Sequence, residues 1–136
     1  LQFAEGLGVS KQDVQSSQKW NETSNLIDTF RSVCSEGSTA EGIAALYAYE
    51  SQIPAVSESK IKGLIENYQM TEPRDYQYFA VHVEADREHA AAERALLAQQ
   101  VTDVNAAATG NAVDRILEAL WEMLSGVCRR HAIACC

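Results

Sequence analysis

The sequence predicts an all-α domain, and three observations carry that prediction. Alanine, the best helix former, occurs about twenty times, in runs such as Ala90-Ala91-Ala92 and Ala106-Ala107-Ala108. Only seven glycines and two prolines interrupt the chain. Runs of β-branched residues, which pack well on a pleated surface, are almost absent. Hydrophobic residues make up 46% of the 136 and charged ones 22%, enough apolar surface to offset the entropy of folding. The length suits one domain, residues 1–136, with no room for a second independent core.

The elements follow in order. Leu1-Gln2-Phe3-Ala4-Glu5 reads as the end of a helix, and the chain opens without a Met, as part of a longer gene product would. Ser10 is placed as an N-cap with Asp13 three residues on, and the short helix it opens ends before Trp20. Leu26, Ile27, Phe30 and Val33 are spaced for a helix over about 22–34, with Gly37 where a C-cap belongs. Ser38-Thr39-Ala40-Glu41 is a capping box for a helix carrying Ile43, Leu46, Tyr47 and Glu50. Pro54 disrupts that helix, and Ser57-Glu58-Ser59-Lys60 can restart one through Ile61, Leu64 and Ile65. After the break at Glu72-Pro73, one long helix runs over about 75–100. Thr109-Gly110-Asn111 marks a turn before a last helix over about 112–128, leaving a tail at about 129–136. The expected architecture is an antiparallel, bundle-like packing of these helices.

Composition excludes several classes of function. A net charge of −8, with no basic cluster longer than Arg129-Arg130, argues against nucleic acid as a partner. No apolar run approaches the length of a membrane span, and no signal peptide is visible. Cys34, Cys128, Cys135 and Cys136 contain no Cys-x-x-Cys spacing, so neither a zinc site nor a disulfide framework is expected. A reducing cytoplasm is the default location. Trp20 and Trp121 are assigned to packing.

Chemistry concentrates in the long helix. His82, Asp86 and His89 fall at i, i+4 and i+7, projecting within roughly 60° of one another on a helix. Two imidazoles and a carboxylate on one stripe match the ligand preference of iron, manganese or zinc. Glu93 continues the stripe. Spacing alone leaves two readings open, a metal site or a solvated polar face. Glu50, near a proline-broken apolar helix, is a further inward acid if it points into the bundle.

These residues, in this order, resemble a known family. Ala45-Leu46-Tyr47-Ala48-Tyr49-Glu50-Ser51-Gln52-Ile53-Pro54, then Ser57-x-x-Lys60, then Tyr78-Phe79-x-x-His82-x-x-x-Asp86-x-x-His89 resembles the haem-oxygenase-like dinuclear-metal oxidases. The nearest branch is typified by the chlamydial protein associating with death domains, whose bacterial relatives make 4-aminobenzoate. The resemblance covers the chain from Phe3 to about Val127. It implies an all-α haem-oxygenase-like helical bundle, of which this chain is the C-terminal portion lacking the N-terminal helices.

It also implies roles, residue by residue. Glu50, His82, Asp86 and His89 match four of six metal ligands. Lys60 matches the lysine that supplies or relays an amino group, and Tyr49 and Tyr78 match tyrosines beside the metals. The remaining Glu and His ligands, and a tyrosine consumed as the ring source, are expected upstream of Leu1, so the chain alone is expected to be inactive. The implied cofactor is a di-iron or iron–manganese centre with O2 as co-substrate, and proteins of this fold commonly form homodimers. Three other readings stand beside this one. They are a cofactor-free enzyme like pyrroloquinoline-quinone synthase or the TenA-type thiaminases, a non-catalytic protein-interaction module, and the same metal chemistry on another substrate.

Overall fold

Seven α-helices succeed one another in the computed structural model, which describes residues 1–134: α1 Gln2–Gly6, α2 Lys11–Ser16, α3 Asn21–Glu36, α4 Thr39–Glu50, α5 Ile53–Tyr68, α6 Pro73–Gln100 and α7 Ala106–His131. There is no strand among the described residues, and the all-α expectation holds. Cys135 and Cys136 lie outside the described residues. None of the described helices is long and apolar enough to cross a membrane.

The caps explain why helices start where they do. Ser10 is extended and its hydroxyl accepts from the Asp13 amide at 3.1 Å, which closes the first turn of α2. Ser38 and Glu41 form the reciprocal box. The Glu41 amide donates to Ser38 Oγ at 3.4 Å, while the Ser38 amide and hydroxyl donate to Glu41 Oε1 at 3.3 and 2.7 Å. Donation from Ser38 holds the Glu41 carboxyl below its ordinary range. Gly37 ends α3, but its φ of −77° is open to any residue. What requires glycine there is room: a Cβ would lie 2.5 Å from the Val33 carbonyl oxygen.

Three sequence expectations are corrected. Helix α5 starts at Ile53, four residues before Ser57, because Pro54 sits in the first turn, where no intrahelical N–H is required. Ser57 is therefore buried inside α5 and caps nothing. The turn expected at Thr109-Gly110-Asn111 lies instead between α6 and α7, at residues 101–105. Asn105 shapes it, accepting from the Thr102 amide at 2.8 Å and donating to the Gln100 carbonyl at 2.9 Å. Helix α7 passes straight through Gly110 and continues to His131, three residues beyond the expected end. A Cβ added at Gly110 meets nothing within 4 Å, and its φ is ordinary. Gly110→Ala is accordingly expected to raise stability by about 0.5–1 kcal/mol in urea unfolding. An unchanged or lower stability would contradict a continuous α7.

The chain packs as two compact units, Leu1–Gln18 with Glu50–Ala90, and Lys19–Tyr49 with Ala91–Cys136. In the first, Leu64, Met70 and Phe79 form the core, with Phe3, Ile61 and Tyr76 packed against it. Phe3 meets Phe79 edge-to-face with centroids 5.1 Å apart. In the second, α3 packs along α7. Val33, Ala45, Ala112 and Ile116 form its core, with Phe30 against it, and the alanines let helix backbones approach closely.

A clamp ties the start of α3 to the end of α7 in this second unit. Arg130 donates to Glu22 Oε1 and Oε2 at 2.9 and 2.8 Å, and Arg129 reaches the same carboxylate at 3.4 Å. The Arg130 guanidinium carbon also lies 4.3 Å from the Trp20 ring centroid. Trp20 thus packs against a charged group of the clamp. Trp121, in contrast, is 64% exposed and is no core residue.

The Arg130 hydrogen bonds hold the Glu22 carboxyl down to about 2 from an ordinary 4.5. A carboxyl depressed in the folded state binds its proton less readily there than in the unfolded chain. Its contribution is complete above 4.5 and is lost as pH falls toward about 2. Stability of the wild-type chain should therefore fall more steeply across that window than stability of Glu22→Gln. Parallel pH curves for the two would remove the clamp as an acid-sensitive element.

Candidate metal centre

Helix α4 ends on Glu50, and α6 carries Asp86 and His89 one turn apart. Asp86 is buried at 5% exposure, an unusual position for a carboxylate, which at that depth requires partners. It has them. The His89 imidazole lies with Nδ1 3.4 Å from Asp86 Oδ1 and 3.0 Å from Glu50 Oε2. One donor atom from each of Glu50, Asp86 and His89 falls within 4.8 Å of the others, all three in the first unit.

Two carboxylates facing one another through an imidazole concentrate negative charge at a point. That arrangement is stable when a proton or a cation stands between them. Carboxylate oxygens with an imidazole nitrogen are hard-to-borderline donors, the set that suits iron and manganese better than soft metals. The residues present therefore fit an iron ion by their chemistry and their spacing.

The other expected site residues are placed as follows. His82, one turn before Asp86, lies outside that three-residue group. Its Nδ1 is 2.7 Å from the Tyr78 carbonyl oxygen. A carbonyl can only accept, so Nδ1 carries the proton and Nε2 is the nitrogen left with a lone pair. The Tyr78 ring lies against the His82 ring at 4.2 Å and fixes its plane. A second-sphere carbonyl that sets the tautomer in this way is what ligating histidines ordinarily have.

Lys60 is exposed on α5, with its ammonium 5.2 Å from the Phe79 ring centroid. Lys60, Tyr78, Phe79 and His82 all line one cleft of ≈ 950 Å³ in the first unit. Tyr49 belongs to the second unit, where its ring meets Phe30 edge-on at 5.8 Å. Glu93 is half-buried farther along α6. Reading along the sequence misses Arg87, which bridges Glu58 on α5 to Glu84 on α6 beside the buried Asp86. Only the alternation of charges in Glu84-Ala85-Asp86-Arg87-Glu88 hints at it.

Comparison with known proteins identifies the family of the chain. Residues 1–123 match the model of a family described as iron-containing redox enzymes. The chain is 40% identical over 122 residues to the 4-aminobenzoate synthase of Chlamydia muridarum, covering 90% of this chain and 48% of that protein. It is 39% identical over 124 residues to the 4-aminobenzoate synthase of Chlamydia pneumoniae, covering 91% and 55%. Against the enzyme of that name from Nitrosomonas europaea it is 37% identical over 126 residues, covering 92% and 51%. The chain thus spans about half the length of the curated relatives it matches. With its donor triad and a family match over nearly its whole length, the chain belongs to the iron-containing redox enzymes.

Proposed function

We propose that the chain carries part of an O2-dependent dinuclear-metal oxidase that forms 4-aminobenzoate, a folate precursor. The observation that carries the reading is the convergence of half-buried Glu50 and buried Asp86 on the His89 imidazole, in a chain about 40% identical to proteins named 4-aminobenzoate synthase. In this reading Glu50, His82, Asp86 and His89 hold the metal, which is di-iron or iron–manganese. When bound, the metal supplies activation of O2 for oxidation of an aromatic ring. A protein tyrosine is the source of that ring.

The chain's own residues do the rest. Asp86, packed away from water, supplies a fixed negative charge that cannot drift to solvent. The Tyr78 carbonyl and ring keep His82 in one tautomer and one plane, so that Nε2 is the ligating atom. Lys60, standing in the same cleft as Tyr78 and His82, is the amine that becomes or relays the amino group. Tyr78, against the His82 ring, is the redox-capable neighbour, and Tyr49, adjacent to Glu50 in sequence, is the second tyrosine that the resemblance assigns to the reaction. A cofactor-free enzyme of the same fold would have no use for a buried Asp86 opposed to Glu50. The reading further takes the protein to be cytoplasmic and a homodimer.

Iron and manganese per chain, measured after purification under reducing conditions, test this. The wild-type chain should retain metal and His89→Ala should retain little. Equal metal content in the two proteins would reject the ligand assignment, and with it the proposed oxidase.

A further inference from the structure

The ≈ 950 Å³ cleft of the first unit is lined by basic but not acidic side chains, in a chain that is acidic overall. Its lining includes Lys60 on α5 and Arg74 on α6, and no Asp or Glu at all. The chain as a whole carries 19 acidic residues against 11 basic ones. Lys60 makes no ion pair among the described residues, and its recorded contact is with the Phe79 ring. Arg74 touches Glu5 and Asp75 only loosely, at 4.0 and 3.7 Å. Charge-assisted hydrogen bonds run nearer 2.8 Å, so most of the guanidinium's five N–H donors remain available. Helix stability does not account for Arg74 either, because the first turn of a helix disfavours a cation. The remaining walls are largely apolar, with the rings of Phe3, Tyr78 and Phe79 among them.

A cleft with aromatic walls and two cations in its lining, whose nearest carboxylates, Glu5 and Asp75, stand back at 4.0 and 3.7 Å from Arg74, favours a flat anion. We infer that it takes an aromatic monocarboxylate, whose carboxylate is held by Arg74 and whose ring lies among Phe3, Tyr78 and Phe79. Naming the aminobenzoates as the class rests on the proposed function; the anion preference rests on the lining alone. Arg74 is then a specificity-determining residue, and its planar fork matches a carboxylate in a way that a lysine ammonium does not. Arg74 is well exposed, so its replacement leaves the core untouched.

The test is calorimetric or NMR titration of the full chain with 4-aminobenzoate and, separately, with uncharged 4-aminobenzamide. The wild-type chain should bind the acid more tightly than the amide. Arg74→Gln should weaken the acid about tenfold and leave the amide unchanged, Arg74→Lys should restore only part of the loss, and Arg94→Gln should match wild type. Equal binding of acid and amide, wild-type binding of the acid by Arg74→Gln, or no detectable binding of the acid would each overturn the inference. Metal content separates the two proposals. Retained iron without acid preference rejects only the cleft assignment, and acid preference without retained iron rejects only the oxidase.

Discussion

Asp86→Asn is expected to strip the chain of its iron while leaving its helices intact. The substitution is isosteric, so the buried position on α6 stays filled and no cavity opens. What changes is charge. A carboxylate oxygen is a strong ligand for a hard cation and an amide oxygen a poor one. Changes to residues merely supporting a metal ligand already cost about 10–100-fold in affinity, so a direct ligand should cost at least that. The metal-free protein should behave differently. Without a cation, Asp86 and Glu50 repel each other across the His89 imidazole, and the asparagine removes that repulsion. Metal-free Asp86→Asn should therefore melt at or above the metal-free wild type. Iron per chain and melting temperature, measured on the same samples, check both halves. Asp86→Asn holding iron at the wild-type level would show that the buried acid is structural only.

Ile116→Ala should be the most damaging change in the second unit, at about 2–5 kcal/mol. Ile116 is 0% exposed and sits among Val33, Ala45, Ala112 and Phe30. The cost of a cavity depends on how far its walls can close. Two of these neighbours are alanines, whose side chains have no further atoms to swing inward, so little collapse is available. The loss should lie toward the upper end of the range and is read from urea unfolding. A change under about 1 kcal/mol would mean that α3 and α7 do not form a packed core in solution.

Legibility in the sequence divides along physical lines. Ser10 with Asp13, and Ser38 with Glu41, are short-range hydrogen-bonding pairs, and both are found where the spacing puts them. Asp86 and His89 are equally local, since helix geometry alone brings i and i+3 together. Pro54 and Gly110 mislead for a shared reason. Each is a helix breaker only in context, and the context here is a first turn for Pro54 and a long, well-anchored α7 for Gly110. Glu50 is separated from His89 by thirty-nine positions, and no periodicity reports such a contact. Its position near a proline-broken apolar helix marks it as a candidate, and only the resemblance to a family sets it beside the α6 residues. The cation-lined cleft is not legible, because Lys60 and Arg74 come from different helices and nothing in the sequence pairs them.

The clamp between α3 and α7 bears on how this sequence can drift. Gly126 lies beneath it: a Cβ there would come within 3.0 Å of Arg130 Nη1 and of the Glu22 carboxylate. A side chain at 126 makes the ends of Arg130 and Glu22 give way and crowds the clamp, although the helix itself would welcome an alanine. Glu22, Gly126 and Arg130 are therefore coupled through the clamp, and a side chain gained at 126 should favour accompanying changes at 22 and 130.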